Sequence, residues 1–336
     1  MQFIVSNQTE PYWNISVENY LVEHAESVTL YLWRNRRTVV IGQNQNPFSE
    51  CNVEALEADG GYLMRRKTGG GAVYHDDGNL NFSFVVPKAI YDQQRQFSVI
   101  QRAVESYGLH TELSGRNDIL VGADNPQDLQ DLAQQEIRMR KFSGNAFSKA
   151  LHQRLHHGTI LIRTDVGDLQ RYLRVRPAKL QKHGVASVQS RVVNLSELVP
   201  DITAQNIVPH LVDAFTKEYG QPVETIAFDD LTALPEVKAL ADQFASEEWK
   251  YGRWQHFTAQ RSAQFEWGGV DLAVEVDEPT ATITRVEIAT DGLDTAIIDR
   301  VRTLLSGAST LTPPTIPANL SDTENAVVRD IFSLVY

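Results

Sequence analysis

The most constraining stretch of this 336-residue chain is Tyr62–Lys67 running into Thr68-Gly69-Gly70-Gly71-Ala72. A β-prone run carrying Arg65, Arg66 and Lys67 empties into three consecutive glycines. Glycine has no Cβ, so its backbone reaches left-handed conformations and can approach a ligand closely. Successive N–H groups in such a turn can converge on the oxygens of an anion. The stretch therefore reads either as an anion-binding corner or as a loop beside a solvated strand end. It lacks the Gly-Lys-Ser/Thr ending of a P-loop and the Gly-x-Gly-x-x-Gly spacing of a dinucleotide fold, and no helix clearly opens after it.

Around this corner, short extended runs outnumber helices. Residues 1–6, 28–33 and 38–41 read as strands. Trp13, Val17, Tyr20 and Leu21 recur at helical spacing within residues 11–24. Residues 49–58 read as a short helix, and Ala72–Tyr74 with Asn81–Val86 as a hairpin turning at Asp77-Gly78. Helices are expected over 92–107 and 203–219, and mostly extended chain over 110–121 and 139–164. Between the last two lies a polar surface excursion, Gly122–Glu136. Near the end, a Trp249–Trp254 link precedes strands at Gln264–Val276 and Thr282–Ile288 and a helix at Leu293–Leu305. This pattern divides the chain into a domain over 1–245, a linker over 246–256 and a small α+β domain over 257–336.

With 42% hydrophobic residues the chain has material for a large core. Its formal net charge of −12 argues against nucleic acid and anionic membrane as partners, since both need a positive field. A single cysteine, Cys51, allows no intramolecular disulfide. There is no basic, apolar leader and no run long enough to span a membrane, so a cytoplasmic protein is expected.

Several other segments carry chemistry-bearing side chains. His75-Asp76-Asp77-Gly78-Asn79 offers metal-ligand types, but Asp-Gly between extended runs is first a turn signal. Asn117 and Asp118 stand at the entrance of the apolar Ile119-Leu120-Val121, where a carboxylate can orient a cation or simply cap a turn. Lys141 is one cation in an otherwise extended segment. His156 and His157 fall on opposite faces of a strand, which makes them poor joint metal ligands. Lys179–Leu195 mixes cations with small residues, as a cover for an anion or an ordinary loop would. Cys51 reads as a buried thiol at a helix start.

Taken in order, these segments resemble the lipoate–protein ligase A family. The matching pieces are Pro11-Tyr12-Trp13-Asn14, Leu32-Trp33-Arg34-Asn35, Val39-Val40-Ile41-Gly42 and Gln45-Asn46-Pro47. They continue with Arg65-Arg66 through Gly71-Ala72-Val73-Tyr74-His75-Asp76, Gly115-Arg116-Asn117-Asp118, Lys141-Phe142-Ser143-Gly144 and His156-His157-Gly158-Thr159. Ser187-Val188, Ser190-Arg191-Val192, Asn194-Leu195 and Phe265–Val270 complete the set.

The resemblance implies an α+β fold: a mixed β-sheet flanked by helices, shared with biotin–protein ligases, with a small C-terminal accessory domain. It implies ATP-dependent activation of lipoate to lipoyl-AMP, release of pyrophosphate, and transfer of the lipoyl group to a lysine. The acceptors would be lipoyl domains of 2-oxoacid dehydrogenase acyltransferase subunits and the glycine cleavage H protein. Carried over residue by residue, ATP or its adenylate would meet Arg66, Gly69, Gly70, Gly71, Ala72, Val73, Tyr74, Asn117, Asp118 and Lys141. Lipoate would meet Arg66, Gly71, Lys141 and His157, with Lys141 touching both carboxylate and phosphate. A magnesium ion is expected on the phosphates, through Asp118. The chain departs from the pattern at the long 122–136 excursion and at Lys182-His183-Gly184, where either Lys182 or His183 would meet the adenylate.

Because lipoyl domains are often acidic, a local basic rim is expected near Arg171, Arg174, Arg176 and Lys179. A monomer is expected, and octanoate stands beside lipoate as an acyl substrate. Three rivals remain. An acyltransferase of the same fold would pass through a cysteine thioester, but Cys51 lies outside the position expected for that nucleophile. A biotin ligase would carry a Gly-Arg-Gly-Arg-type loop, absent here. The third is a scaffold that binds lipoyl domains without turnover.

Overall fold

The computed structural model describes residues 1–115, 117–122, 139–150, 152–174, 192–251, 259–277, 280–292 and 294–336. Among them, eight strands form one mixed sheet in the order β11-β1-β2-β6-β10-β9-β8-β7. These are β1 Gln2–Val5, β2 Thr29–Trp33, β6 Asn79–Pro87, β7 His110–Ser114, β8 Asp118–Gly122, β9 Arg140–Lys149, β10 Gln153–Leu161 and β11 Glu224–Thr225. β1 is parallel to both neighbours and the other pairings are antiparallel. A second sheet, β4-β3-β5, joins β3 Thr38–Ile41 to β4 Tyr62–Arg65 in parallel and to β5 Val73–His75 antiparallel.

Strand β6 shows why the large sheet is covered on both faces. Leu80, Phe82, Phe84 and Val86 point into a core shared with Phe97 and Ile100 of helix α4 (Gln93–Glu105) and with Leu211 and Phe215 of the Ile207–Tyr219 helix. Val85, of opposite parity, enters a second core with Ile15 and Val17 of helix α1 (Pro11–His24) and Phe244 of the Pro235–Ala245 helix. Asn81 and Ser83 share the parity of Val85, which puts polar groups on the α1 face of the sheet.

The structure refines four expectations. The run 49–58 is two short helices, α2 (Pro47–Glu50) and α3 (Val53–Ala58), broken where Cys51 bridges Leu173 and Asn52 N–H donates to Tyr172 O at 2.8 Å. The helix expected from 203 starts at Ile207, because Thr203 and Asn206 bond each other's backbone in a capping turn. β5 and β6 do not form a hairpin. The Asp77-Gly78 turn instead passes the chain from the small sheet to the large one, and Gly78 O accepts the N–H groups of Ile162 and Arg163 at 3.0 and 2.9 Å. Gln264–Val276 is two strands, β12 (Ala259–Phe265) and β13 (Gly268–Asp277), folded back at Glu266-Trp267.

β12, β13 and β14 (Thr282–Thr290) form an antiparallel sheet covered by the helices Thr295–Leu305 and Asp322–Phe332. Their shared core includes Leu272, Ile288, Val301, Val328 and Ile331, separate from the cores of the large sheet. This is the small C-terminal α+β domain. Its last helix is announced by a capping box, Ser321 with Glu324. The excursion at 123–138, the loop at 175–191 and the 252–258 link lie outside the described residues.

A Cβ at Gly78 would overlap the backbone of Arg163, where no side chain can swing aside. Gly78→Ala should cost roughly 1–3 kcal/mol, as overpacking does. A chemical-denaturation midpoint equal to wild type would contradict this packing.

Candidate active site

A cavity of about 610 Å³ opens between the α1 face of the large sheet, the glycine turn and the C-terminal sheet. That is ordinary for a site holding a small organic ligand. Of the residues singled out in the sequence, Arg66, Gly70, Gly71, Ala72, Val73, Asn117, Asp118, Lys141 and His157 all line it. Gly69 and Tyr74 do not, and the Tyr74 hydroxyl donates to Asp168 Oδ2 at 3.2 Å, away from the cavity.

Lys141 reaches the cavity through a local irregularity. The β8–β9 pairing shifts between Ile119 and Leu120, so Ile119 faces Ser143 while Leu120 faces Lys141. A bulge of this kind re-aims a side chain. The Lys141 side chain then runs over Gly144, where an added Cβ would lie 3.0 Å from Nζ and 3.1 Å from Cε. Its ammonium ends 2.7 Å from Asp118 Oδ1, with both side chains one-third exposed.

Arg66 is buried, and burial pulls its guanidinium pKa down to about 10, against the opposing field of Glu18. Its Nη2 donates to the carbonyls of Gly69 and Gly71, both at 2.8 Å, and its Nε to Thr68 Oγ1 at 2.9 Å. The arginine therefore fixes the glycine turn from inside by holding its carbonyls. Arg65 is structural: it donates to the carbonyls of Gln45 (2.7 Å) and Lys250 (2.7 Å), pinning the Glu247–Tyr251 helix.

The tandem histidines separate as strand alternation requires. His156 sits among Phe82, Phe84, Phe97 and Phe147, and burial drives its pKa well below the usual value, with His157 adding to the effect. His157 faces the cavity, with Nδ1 2.8 Å from Glu18 Oε1 and Nε2 3.0 Å from Thr68 Oγ1. His75 also lines the wall, and burial, then the nearby Arg66 charge, lowers it to about 3, so it stays neutral.

Sequence reasoning passed over two contributions. Glu18 lies inside α1, where a lone glutamate looks like surface. Glu266, Trp267 and Asp291 come from the C-terminal domain yet line the same cavity. That domain is fastened to the turn, since Gly70 N–H donates to Gly292 O at 3.1 Å and Thr290 N–H to Asn44 O at 3.0 Å. For Glu266 and Trp267 the one mark in the sequence is that Phe265–Val270 belongs to the segments that resemble the ligase family. Of the expected basic rim, Arg171 is paired with Asp59 at 2.7 Å, Arg174 donates to Phe48 O at 2.8 Å, and Arg176 and Lys179 lie outside the described residues. So do Arg116, Lys182 and His183. Among the described residues no group of three or more His, Cys, Asp or Glu is arranged to hold a metal. No described helix is long and apolar enough to cross a membrane.

The family profile of the lipoyl protein ligase A/B catalytic domain matches residues 10–216. The chain belongs to the lipoyl protein ligase A/B family. Within it, this chain is 36% identical over 315 residues to lipoate-protein ligase A of Psychrobacter cryohalolentis, covering 91% of this chain and 88% of that one. It is similar in structure to the lipoate complex of P. falciparum LipL1, with a TM-score of 0.79, 27% identity and 99% of each chain covered. A bipartite lipoate protein ligase of Thermoplasma acidophilum, described along with its E2 lipoyl domain as an archaeal lipoylation system, shares the fold at TM-score 0.61 and 22% identity, over 77% of this chain and 98% of that one. This ligase-family member is thus an enzyme with the mixed sheet and helical layers its sequence implies.

The ligase chain's only cysteine is fully buried, and burial raises its thiol pKa to about 12. A folded pKa above the ordinary thiol value keeps Cys51 protonated at neutral pH, and only the thiolate is nucleophilic. Ellman's reagent at pH 8 should therefore label it only on unfolding, and rapid labelling of the native chain would contradict the burial.

Proposed function

We propose that this lipoate–protein ligase activates lipoate with ATP as lipoyl-AMP and passes the lipoyl group to an acceptor lysine. A carboxylate oxygen of lipoate attacks the α-phosphorus, and pyrophosphate leaves. The acceptor amine then attacks the acyl carbon, loses a proton, and AMP departs with the bridging oxygen.

The observation that carries this reading is the Lys141 ammonium on the wall it shares with Gly70 and Gly71. Joining two anions demands a cation fixed beforehand where charge builds up. The Lys141–Asp118 pair is partly exposed, so breaking it costs about 1 kcal/mol or less. Lys141 can therefore turn from Asp118 to a carboxylate and an α-phosphate. Arg66 shapes the turn: Gly292 O takes the Gly70 N–H, and the Ala72 N–H, opposite the Gly71 carbonyl that Arg66 holds, is the one offered to the nucleotide. Asn117 and Asp118 stand on the phosphate side, and the apolar Ile15, Trp33 and Val40 offer the acyl tail a dry wall. Asp118 fits a magnesium ion, which takes one or two carboxylates together with substrate phosphates and would screen their charge.

Residues 257–336 act as an accessory domain that bounds the cavity next to a 1–245 catalytic domain. The acceptors are lipoyl domains of 2-oxoacid dehydrogenase complexes and the glycine cleavage H protein, and octanoate is an alternative acyl substrate. The similarity to LipL1, solved with lipoate, supports the acyl group. The thioester route of related acyltransferases is disfavoured by the inaccessible Cys51.

Lipoate-dependent exchange between ATP and pyrophosphate tests the first step directly. Wild-type protein should support exchange with lipoate and not with biotin. Lys141→Ala should lower single-turnover lipoyl-AMP formation by roughly 10²–10³-fold, the effect of removing one preorganised donor. Near-wild-type formation by that variant would overturn the role of Lys141.

A further inference from the structure

We propose that Glu18 is a positioning residue that ties the nucleotide end of the cavity to its acyl end through two converging hydrogen-bond chains. The inference rests on the ligase reading for its activity readouts.

Glu18 lies on α1 with its side chain 1% exposed. A carboxylate buried to that degree must be satisfied by donors, or folding would pay several kcal/mol. Two donors reach the same oxygen, Oε1: His157 Nδ1 at 2.8 Å and the Ser83 hydroxyl at 2.5 Å. An ionised carboxylate only accepts, so His157 carries its proton on Nδ1.

The first chain leads to the glycine turn. Thr68 Oγ1 receives Arg66 Nε–H at 2.9 Å and lies 3.0 Å from His157 Nε2. In a neutral imidazole that carries its proton on Nδ1 the other nitrogen accepts, so the Thr68 hydroxyl, while accepting from the arginine, gives its own hydrogen to Nε2. The donors then run one way, Arg66 to Thr68 to His157 to Glu18, with a full cation at one end and a full anion at the other. Bonds aligned in this manner polarise one another. The same Arg66 holds the carbonyls of Gly69 and Gly71 at 2.8 Å.

The second chain leads to the other end. Trp33 Nε1–H donates to Ser83 Oγ at 3.0 Å, and Ser83 donates to Glu18. The Trp33 ring forms part of the cavity wall. One carboxylate thus sets the orientation of the ring beside the acyl chain and of the guanidinium behind the phosphate turn. In neither case does Glu18 itself stand on the cavity wall.

The substitution Glu18→Gln keeps the shape and an amide oxygen where the two donors converge, but it removes the negative charge that holds them and puts an NH2 group in place of Oε2. A small misplacement of reacting groups lowers rates by up to roughly 10²-fold. Glu18→Gln should therefore lower kcat/KM for both ATP and lipoate by roughly 10–100-fold. Thr68→Val cuts only the first chain and should raise the KM for ATP. Ser83→Ala cuts only the second and should raise the KM for lipoate. A merely structural role predicts that both KM values move together in all three variants, and that result would overturn the proposal, as would wild-type constants in Glu18→Gln. Nitrogen-15 NMR of His157 in unliganded wild-type protein needs no activity and no variant. It should show a protonated Nδ1 and an unprotonated Nε2, and a proton found on Nε2 would overturn the relay even if ligase activity is confirmed. Absence of lipoate-dependent exchange with the Nδ1–H tautomer present would instead count against the ligase reading alone.

Discussion

The site turns on one charge pair, the Lys141 ammonium 2.7 Å from the Asp118 carboxylate. Two features of the backbone create it. The register shift between β8 and β9 aims Lys141, and the bare Cα of Gly144 gives its methylenes a path to Asp118. Because both groups keep partial contact with water, the pair holds the cation in place without trapping it. A lysine buried deeper would tend to lose its proton, and one fully exposed would spread over many rotamers. The observed position avoids both losses and leaves a cation ready for an anionic ligand.

Arg66 is the complementary constraint. Its buried guanidinium draws the Gly69 and Gly71 carbonyls inward. A peptide whose carbonyl points one way has its N–H pointing roughly the other, so this arrangement turns N–H groups outward. The C-terminal domain meets the same turn, since Gly292 O takes the Gly70 N–H. The C-terminal domain and the glycine turn are thus mechanically linked, and residues over 200 positions apart build one wall.

Much of this was legible in the residues. Period-two alternation separated His156 from His157 and sent one to an aromatic core and the other to the cavity. Order and spacing of short motifs fixed the family. The apparent hairpin at Asp77-Gly78 misled because turn chemistry is local, whereas sheet membership is decided by long-range pairing with β3 and β2. Glu18 stayed hidden because nothing in α1 marks a glutamate that meets Ser83 and His157 across 65 and 139 residues. The tethering of the C-terminal domain was hidden too, because two of its bonds are made by backbone atoms of Gly292 and Thr290, and the side-chain bond from Arg302 to Asn44 Oδ1 joins residues 258 positions apart.

The central claim is that a fatty-acid carboxylate meets the α-phosphorus of ATP beside Lys141. Isotope transfer tests it most directly. Lipoate labelled with oxygen-18 in both carboxylate positions is carried through a complete reaction with ATP and an acceptor lipoyl domain, and the products are weighed by mass spectrometry. AMP should carry one heavy oxygen and pyrophosphate none. Label in pyrophosphate, or unlabelled AMP beside a fully lipoylated acceptor, would contradict the claim.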